Sequence, residues 1–545
     1  MDRTQIAGTP GLRNFMEEYW SRYRDDVLEI KDEMSVEFDT TTYSVLRNRS
    51  NRMLLFSNIK GYENFRLLAN ALGSENRVLF ATGSTDIEEF NWKFSSILES
   101  EVHDAISLRS GSAPFMKNVL SSHSVDIFRL PIPSHYPSDG SRTGKSKYIT
   151  SGIVAVREFD NPERINLSFT RIQPISRNRY AFDAGSHGHL WNHLRIAAQN
   201  GMEAELTVLI GCHPLYYLLA ASFIDNEYEK ASALMDAELS KGLKNDIIIP
   251  TETEIVMEAK FVPAETYDEG PFAEYAGYMG QDTTRYVAEV KSIMMRDNPI
   301  YYDIRPSNST EHVNTFSLPR SSAVNGKLRR IIPQGTDFGV EWPYSGARFL
   351  SIAWVEPPAR NVAKQLGISI MSTDPLWGKV IFVNLGKCDL DFTSAIARFL
   401  NTSEKASQCI AVFDDMFVIS SDFTAKPEGN VGKALFITNS RDNSFTSELV
   451  DGEFIMRGKY GSAVITHSPG NRGRITIVVG RDIDVSDADQ VLWALATRVN
   501  PSVDLEVNED SIAINASRET PEIPGLDPDS VRRILDRFPA QPTEV

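Results

Sequence analysis

Two glutamates five residues apart, Glu269 and Glu274, sit in the stretch Y-D-E-G-P-F-A-E-Y-A-G-Y-M-G from Tyr267 to Gly280. Gly270 and Pro271 between them predict a turn rather than a helix interior. Phe272, Tyr275 and Tyr278 surround both acids with aromatic surface. A carboxylic acid in apolar surroundings keeps its proton to higher pH and can deliver it, which is general-acid chemistry. Taken alone, the stretch is more simply a turn carrying two solvated acids.

Other stretches bear on that choice. Asn166 to Gln173, N-L-S-F-T-R-I-Q, has the composition of a strand. Even spacing would then put Asn166, Ser168 and Thr170 on one face and Leu167, Phe169 and Arg171 on the other. An arginine among apolar neighbours needs an anionic partner, and Glu269 and Glu274 are candidates. Snorkelling at the strand end is the alternative. The run S-H-G-H-L-W-N-H holds His187, His189 and His193, whose imidazoles could bind a metal. On a helix only His189 and His193 share a face, and one buried histidine with two at the surface is the plainer reading. Gly140–Ser146, G-S-R-T-G-K-S, resembles a phosphate-binding loop but is one residue short between its glycines. Tyr148-Ile149-Thr150 opens a strand where a helix should follow, so a turn is predicted. Cys212 and His213 are adjacent, and in a strand they would point to opposite faces, which rules against a nucleophile–base pair.

The elements that must position these groups can be read from periodicity. The 545 residues predict two to four domains. An N-terminal α/β domain over 1–120 opens with a helix whose apolar positions run from Leu12 to Ile30. Strands at Met53–Ile59 and Val78–Ala81 and a helix over Asp86–Ser107 follow. Residues 121–320 read as a largely antiparallel, split-barrel β core. Its strands are Val125–Ile132, Tyr148–Val156, Ile165–Ile175, Leu206–Ile210, Ile255–Phe261 and Tyr286–Met295, with a helical hairpin near 214–241. Residues 305–340 are rich in Pro, Ser and Gly, and 321–340 is taken as the linker. A C-terminal α/β domain spans 341–520, with helices at Arg360–Leu366, Ser394–Leu400 and Asp487–Val499. Its strands fall at Val380–Leu385, Ile410–Ile419, Ala434–Thr438 and Ile475–Gly480. A tail, 521–545, carries an amphipathic helix over Pro528–Phe538.

Composition narrows the function classes. The chain has 73 acidic and 56 basic residues, a formal charge of −17, which argues against nucleic acid as the main partner. Three scattered cysteines without a CxxC pair fit a reduced, cytoplasmic protein. The N-terminus lacks an apolar signal core. The most apolar run, Leu206 to Ile224, is interrupted by Cys212, His213 and Pro214, so a strand–turn–helix is predicted rather than a membrane span.

Several ordered motifs together resemble the UbiD family of reversible decarboxylases. They are Y-I-T-S-G-I-V-A-V-R, N-L-S-F-T-R, S-H-G-H, N-E-Y-E-K-A at Asn226–Ala231, and E-G-P-F-A-E. I-T-I-V-V-G-R-D-I-D-V and V-L-W-A-L-A-T-R-V-N-P near the C-terminus complete the set. The resemblance implies prenylated FMN in the middle domain, with Mn²⁺ (or Mg²⁺) and K⁺. The family's catalytic Glu-Arg-Glu set falls on Arg171, Glu269 and Glu274. Asn166, Glu227 and His187 become the metal ligands, with His189 as an alternative to His187. Ser168, Phe169, Thr170 and Arg171, with the loop Asp183, Ala184, Gly185, Ser186, His187, Gly188 and His189, would line the cofactor. Oxygen ligands suit a hard divalent cation. Arg171 would hold the substrate carboxylate or orient Glu269, and Glu274 would protonate the carbon that CO₂ leaves.

The implied substrate is an aromatic, heteroaromatic or α,β-unsaturated carboxylic acid. A flavin prenyltransferase would supply the cofactor, and the C-terminal domain would mediate a homodimer or higher homo-oligomer. Two departures stand out. A lysine that some members place near the cofactor phosphate has no counterpart at His467–Gly470, and Ala273 stands where many have glycine. The rival readings are a metal-dependent hydrolase built on His187, His189 and His193, and a catalytically silent family member acting as a partner subunit.

Overall fold

A computed structural model of the chain describes residues 11–538 apart from 101–105, 159–160, 185–187, 223, 282, 420 and 427–428. It divides into two units, Met1–Arg320 with Glu522–Val545, and Ser321–Pro521.

The first unit begins with the helix Leu12–Arg22, which ends before the apolar spacing suggested. Val27 and Ile30 instead lie in the strand Val27–Ile30. Asp26 explains the break: it accepts hydrogen bonds from the Tyr19 hydroxyl at 2.5 Å and from Arg77 at 2.7 Å, which pulls the chain out of helical register. Val78–Ala81 is not a strand but part of the helix Glu75–Thr82. Ser74 caps that helix by accepting from the Arg77 amide, and Gly83, in the left-handed region, ends it. Short apolar runs do not separate strand from helix, and here the caps decide. Val125–Ile132 likewise is no strand; it holds the short 3-10 turn Ile127–Arg129, with Asp126 as its cap. Asp86 caps the helix Ile87–Glu99, as its acidic start predicts.

The N-terminal sheet runs Val27–Ile30, Met53–Phe56, Arg66–Ala69, Ile300–Asp303. Its fourth strand comes from far along the chain and lies parallel to the third. Between them sits the barrel. Its strands are β1 (Ile149–Arg157), β2 (Ile165–Ser176), β3 (Arg179–Phe182), β4 (Glu205–Ile210), β5 (Ile255–Glu269) and β6 (Thr283–Met295). They pair in the order β5-β4-β1-β2-β3-β6, and β6 pairs back with β5, so six strands close into a ring. Closure leaves those strands no free edge, and their alternate side chains fill the interior. Val154, Ile172, Val208, Met257 and Val290 belong to one buried cluster that also takes in Leu54 and Leu67 of the N-terminal sheet.

The helices α1 (His189–Gln199), α2 (Pro214–Ala220) and α3 (Glu227–Leu234) belong to the same unit. The last two form the expected hairpin, but Glu238–Lys241 is a strand, paired with Ile248–Pro250 and Ser107–Leu108. The stretch read as a linker is largely helical. Helix α4 (Thr310–Ile331) occupies it, and Asp337–Glu341 is a strand. The helix forms despite Pro319 because its first turn is pinned: Glu311 accepts from the amides of Asn70 and Leu72 and from the Tyr302 hydroxyl.

Helix α5 (Pro528–Arg537) closes the first unit. Asp527 caps it, Ile534 is fully buried in the main cluster, and Ser530 and Arg533 both donate to the buried Asp39. The second unit is α/β, as expected. One five-stranded sheet is ordered Asp337–Glu341, Leu350–Glu356, Val380–Leu385, Asn430–Thr438, Ile410–Phe417. A six-stranded sheet runs from Thr446–Val450 to Leu505–Val507. Among the described residues no helix is long and apolar enough to cross a membrane.

The burial of Ile534 sets a direct expectation. Ile534→Ala should cost about 2–5 kcal/mol in denaturant unfolding of the first unit. Leu535→Ala, at a position 44% exposed, should change stability by less than about 0.5 kcal/mol.

Candidate active site

The candidate site is built on β2, on the end of β5 and on the turn that follows it. Arg171 on β2 donates through Nε and Nη2 to the two oxygens of Glu269, both at 3.0 Å. Its Nη1 donates to Glu274 Oε1 at 2.8 Å. The guanidinium carbon lies 4.8 Å from the centroid of the Phe272 ring. The arginine and both acids expected from the sequence therefore converge. Glu269 is the last residue of β5 rather than a turn residue, and its side chain is 1% exposed against 18% for Glu274.

The turn is held from outside. Glu274 N donates to Tyr278 O, and Gly280 N donates to Phe272 O at 2.7 Å. The Ala273 amide donates to Asp139 Oδ1 at 3.0 Å, while Asp139 Oδ2 accepts from the Tyr136 amide. Gly140 N donates to Pro271 O at 2.7 Å. Gly140 and Gly144 both adopt positive φ, so G-S-R-T-G-K-S is a turn, and it braces the acid-bearing segment. Ala273 is fully buried and packs with Tyr136 and Met279. Gly280 lies under the Glu274 side chain; a Cβ there would sit 2.5 Å from Glu274 Oε1 and 2.9 Å from its Cγ.

The electrostatics separate the groups. Burial raises the pKa of Glu274; Arg171 opposes the shift, while Asp183 and Glu269 add to it. Burial works against the charge on Arg171, but Glu269, Asp183 and Glu274 outweigh it and raise its pKa well above the ordinary guanidinium value. Burial also pushes Asp139 up to about 7.

Five residues back on β2 lies a second group of donors. Asn166 Nδ2 donates to Glu227 Oε1 at 3.1 Å, the Leu167 amide donates to the same oxygen, and Ser168 Oγ donates to Asn166 Oδ1 at 2.8 Å. Asn166 and Ser168 thus share the face that strand alternation requires. Among the described residues Glu227 Oε2 is buried with no hydrogen-bond partner, and burial raises the Glu227 pKa well above the ordinary value. An orphaned carboxylate oxygen beside an amide and a hydroxyl is the donor set a hard divalent cation takes.

The other expected site residues fall into place unevenly. Phe169 meets Tyr217 edge-on, with centroids 6.1 Å apart, and Thr170 Oγ1 donates to the carbonyl of Asp183. Ala184 is buried, and Gly188 caps α1. Gly185, Ser186 and His187 lie outside the described residues. His189 is half-exposed, with Nδ1 3.5 Å from Asp225, and His193 lies one turn along α1. Among the described residues no group of three or more His, Cys, Asp or Glu could hold a metal ion. His213 caps α2, where burial pushes its pKa down to about 3, and Cys212 is fully buried.

Sequence reading missed Arg285. It stands on β6, donates to Glu269 Oε2 at 3.3 Å, and pairs with Asp183 at 2.9 Å. The missing signal was the hairpin: once β5 and β6 are paired, Tyr267 faces Arg285 and Glu269 faces Thr283, which sets an arginine beside the acid. Asp139 was missed because only the folded chain brings it to the turn.

Family models for the 3-octaprenyl-4-hydroxybenzoate carboxy-lyase match this chain in three places. The N-terminal domain matches residues 19–93, the Rift-related domain 107–308, and the C-terminal domain 459–522. The chain belongs to the UbiD family. An uncharacterized protein of Aquifex aeolicus is 30% identical over 272 residues, 46% of this chain and 54% of its own length. The phenolic acid decarboxylase of Bacillus subtilis is 26% identical over 288 residues, 50% of this chain and 58% of its own. The match thus spans little more than half of each of these relatives. The UbiD-class enzyme HmfF of Pelotomaculum thermopropionicum, solved with FMN, superposes with a TM-score of 0.71 at 23% identity, covering 81% of this chain and 98% of that one. An evolved dimeric form of HmfF, solved with prFMN, gives 0.69 at 23% identity, covering 81% and 97%. The barrel and the flanking α/β layout are the fold of that class.

Two expectations follow from the site. Gly280→Ala should push the Glu274 carboxyl off Arg171 and speed hydrogen exchange of the 270–280 segment, leaving β1 and β4 unchanged. Glu274 has a raised pKa in the fold, so above the ordinary glutamate value the native state binds more protons than the unfolded chain, and stability falls as pH rises. Glu274→Gln removes that dependence, so its thermal midpoint should gain on the wild type as pH is raised from 4.5.

Proposed function

We propose that the protein is a prenylated-FMN-dependent carboxy-lyase that removes CO₂ from an aromatic, heteroaromatic or α,β-unsaturated carboxylic acid. The observation that carries this reading is the convergence of Arg171, Glu269 and Glu274 on the strand that also bears the Asn166–Glu227 oxygen site. Family membership, a relative named as a phenolic acid decarboxylase, and HmfF solved with FMN and prFMN support it.

Asn166 and Glu227, with His187 as the proposed third ligand, would hold a divalent cation, Mn²⁺ or Mg²⁺, whose charge would offset the flavin phosphate, and K⁺ would complete the cofactor set. When bound, the prenylated flavin supplies the electron sink for breaking the carbon–carboxylate bond. Glu269 fixes the guanidinium plane through a bidentate pair, so Arg171 meets the substrate carboxylate already oriented. Glu274 Oε1 is held by Arg171, which leaves Oε2 to carry the proton delivered to carbon after CO₂ departs. The Phe272 ring, 4.6 Å between centroids from that of Tyr148, lies against the Arg171 guanidinium. A flavin prenyltransferase is the proposed cofactor source, and a homodimer through the second unit the proposed assembly.

Protein produced alongside a flavin prenyltransferase should release prenylated FMN, identified by mass, and consume members of an aromatic-acid panel with CO₂ release. Glu274→Gln should keep the cofactor and lower kcat by about 10²–10⁴-fold. Stoichiometric zinc without flavin, or a Glu274→Gln variant as active as the wild type, would overturn the reading.

A further inference from the structure

Among the described residues three carboxylates and two guanidiniums meet at the barrel mouth. Arg171 contacts Glu269, Glu274 and, at 3.7 Å, Asp183. Arg285 contacts Asp183 at 2.9 Å and Glu269 at 3.3 Å. All five side chains are a quarter exposed or less. Uncompensated charge is costly in such a place, so the cluster is balanced when its three acids hold one proton among them. The contacts decide which acid holds it. Glu269 accepts three N–H groups from both arginines, and Asp183 faces both arginines as well. Among the described residues Glu274 accepts a side-chain hydrogen bond from Arg171 alone.

We propose that Arg285, tied to Asp183 and Glu269, is a positioning residue that reserves the cluster's single proton for Glu274. It acts through Glu269 and Asp183. With Arg285 present, Glu269 and Asp183 are matched by two cations and Glu274 is the acid left over. Without it, three acids face one cation and a second proton is taken up, shared between Glu269 and Asp183, whose nearest remaining cation is Arg171 at 3.7 Å. After Glu274 gives its proton to carbon, the cluster carries one uncompensated negative charge, which draws the replacement proton back to the same oxygen. The assignment deepens the decarboxylase reading and rests on it for its role in turnover. The charge balance itself does not.

Three more titratable groups face the cluster. Asp139, from the loop before β1, is pushed up to about 7 by burial; the Tyr148 phenol, just ahead of β1, is pushed up likewise; His312 on α4 is pushed down to about 4. Asp139→Asn serves as a control background for the first.

Infrared difference spectroscopy of the cofactor-free protein near neutral pH tests the assignment. The wild type should show a protonated-carboxyl band that Glu274→Gln removes. Arg285→Gln/Glu274→Gln should regain protonated-carboxyl intensity that Glu274→Gln alone lacks, because one arginine then faces two acids. In the loaded enzyme, Arg285→Gln should lower kcat about tenfold, change KM less than about twofold, and move the acid limb of the pH profile upward. Arg285→Lys should restore the wild-type bands and profile. The proposal is overturned if Arg285→Gln leaves the carboxyl bands unchanged, including the case where kcat and thermal midpoint fall uniformly at every pH. If the bands behave as stated and the wild type decarboxylates nothing, the charge assignment stands and the decarboxylase reading falls.

Discussion

A guanidinium only 11% exposed has to be matched by carboxylates, and the barrel mouth is arranged to match Arg171. Its partners stand on β5 and on the turn beyond it, while Arg171 stands on β2, and those strands are not neighbours in the ring. Only closure of the ring between β5 and β6 brings them within hydrogen-bond reach. The two halves of the interaction enforce each other. An arginine without Glu269, or Glu269 without the arginine, would be a buried unpaired charge costing on the order of 3–5 kcal/mol. The barrel fixes the ion pair, and the ion pair penalises any register of β5 that places Glu269 elsewhere.

The same pairing divides the labour between two acids of the same type. Glu269 ends a strand, is almost fully buried, and spends both oxygens on arginines. Glu274 hangs from a turn, keeps one oxygen clear of Arg171, and sits over a glycine that gives it room. Asp139 and Gly140 hold that turn through its amides and carbonyls, so they govern where the acid can go without touching it. Identical side chains thus become a fixed brace and the proposed proton carrier through where the backbone places them.

How much of this was legible in the residues depended on the range over which the signal acts. Strand alternation in N-L-S-F-T-R placed Asn166 and Ser168 on one face, because a period of two is set locally. The acid pair, the arginine and Glu227 were found through ordered motifs, and the structure brings Glu269, Glu274 and Arg171 together. Errors fell where the deciding contact was distant. Val27 and Ile30 left the helix because Arg77 reaches Asp26, and α4 formed in a Pro- and Ser-rich stretch because Asn70 and Leu72 pin Glu311. Arg285 and Asp139 were invisible for the same reason. Each matters through a partner on another element, and no local pattern marks it.

The parallel strand Ile300–Asp303 carries a further consequence, for the order in which the protein can be assembled on the ribosome. Arg66–Ala69 offers an unpaired edge containing Leu67 and Leu68 until that strand is synthesised, more than two hundred residues later. A hydrophobic edge left open that long is a template for pairing with the wrong chain. Helix α5 extends the wait, since Asp39 and the Ile534 site are covered only by residues beyond 527. In the nascent chain the N-terminal sheet therefore stays incomplete until Ile300–Asp303 has been made, and the edge needs shielding meanwhile.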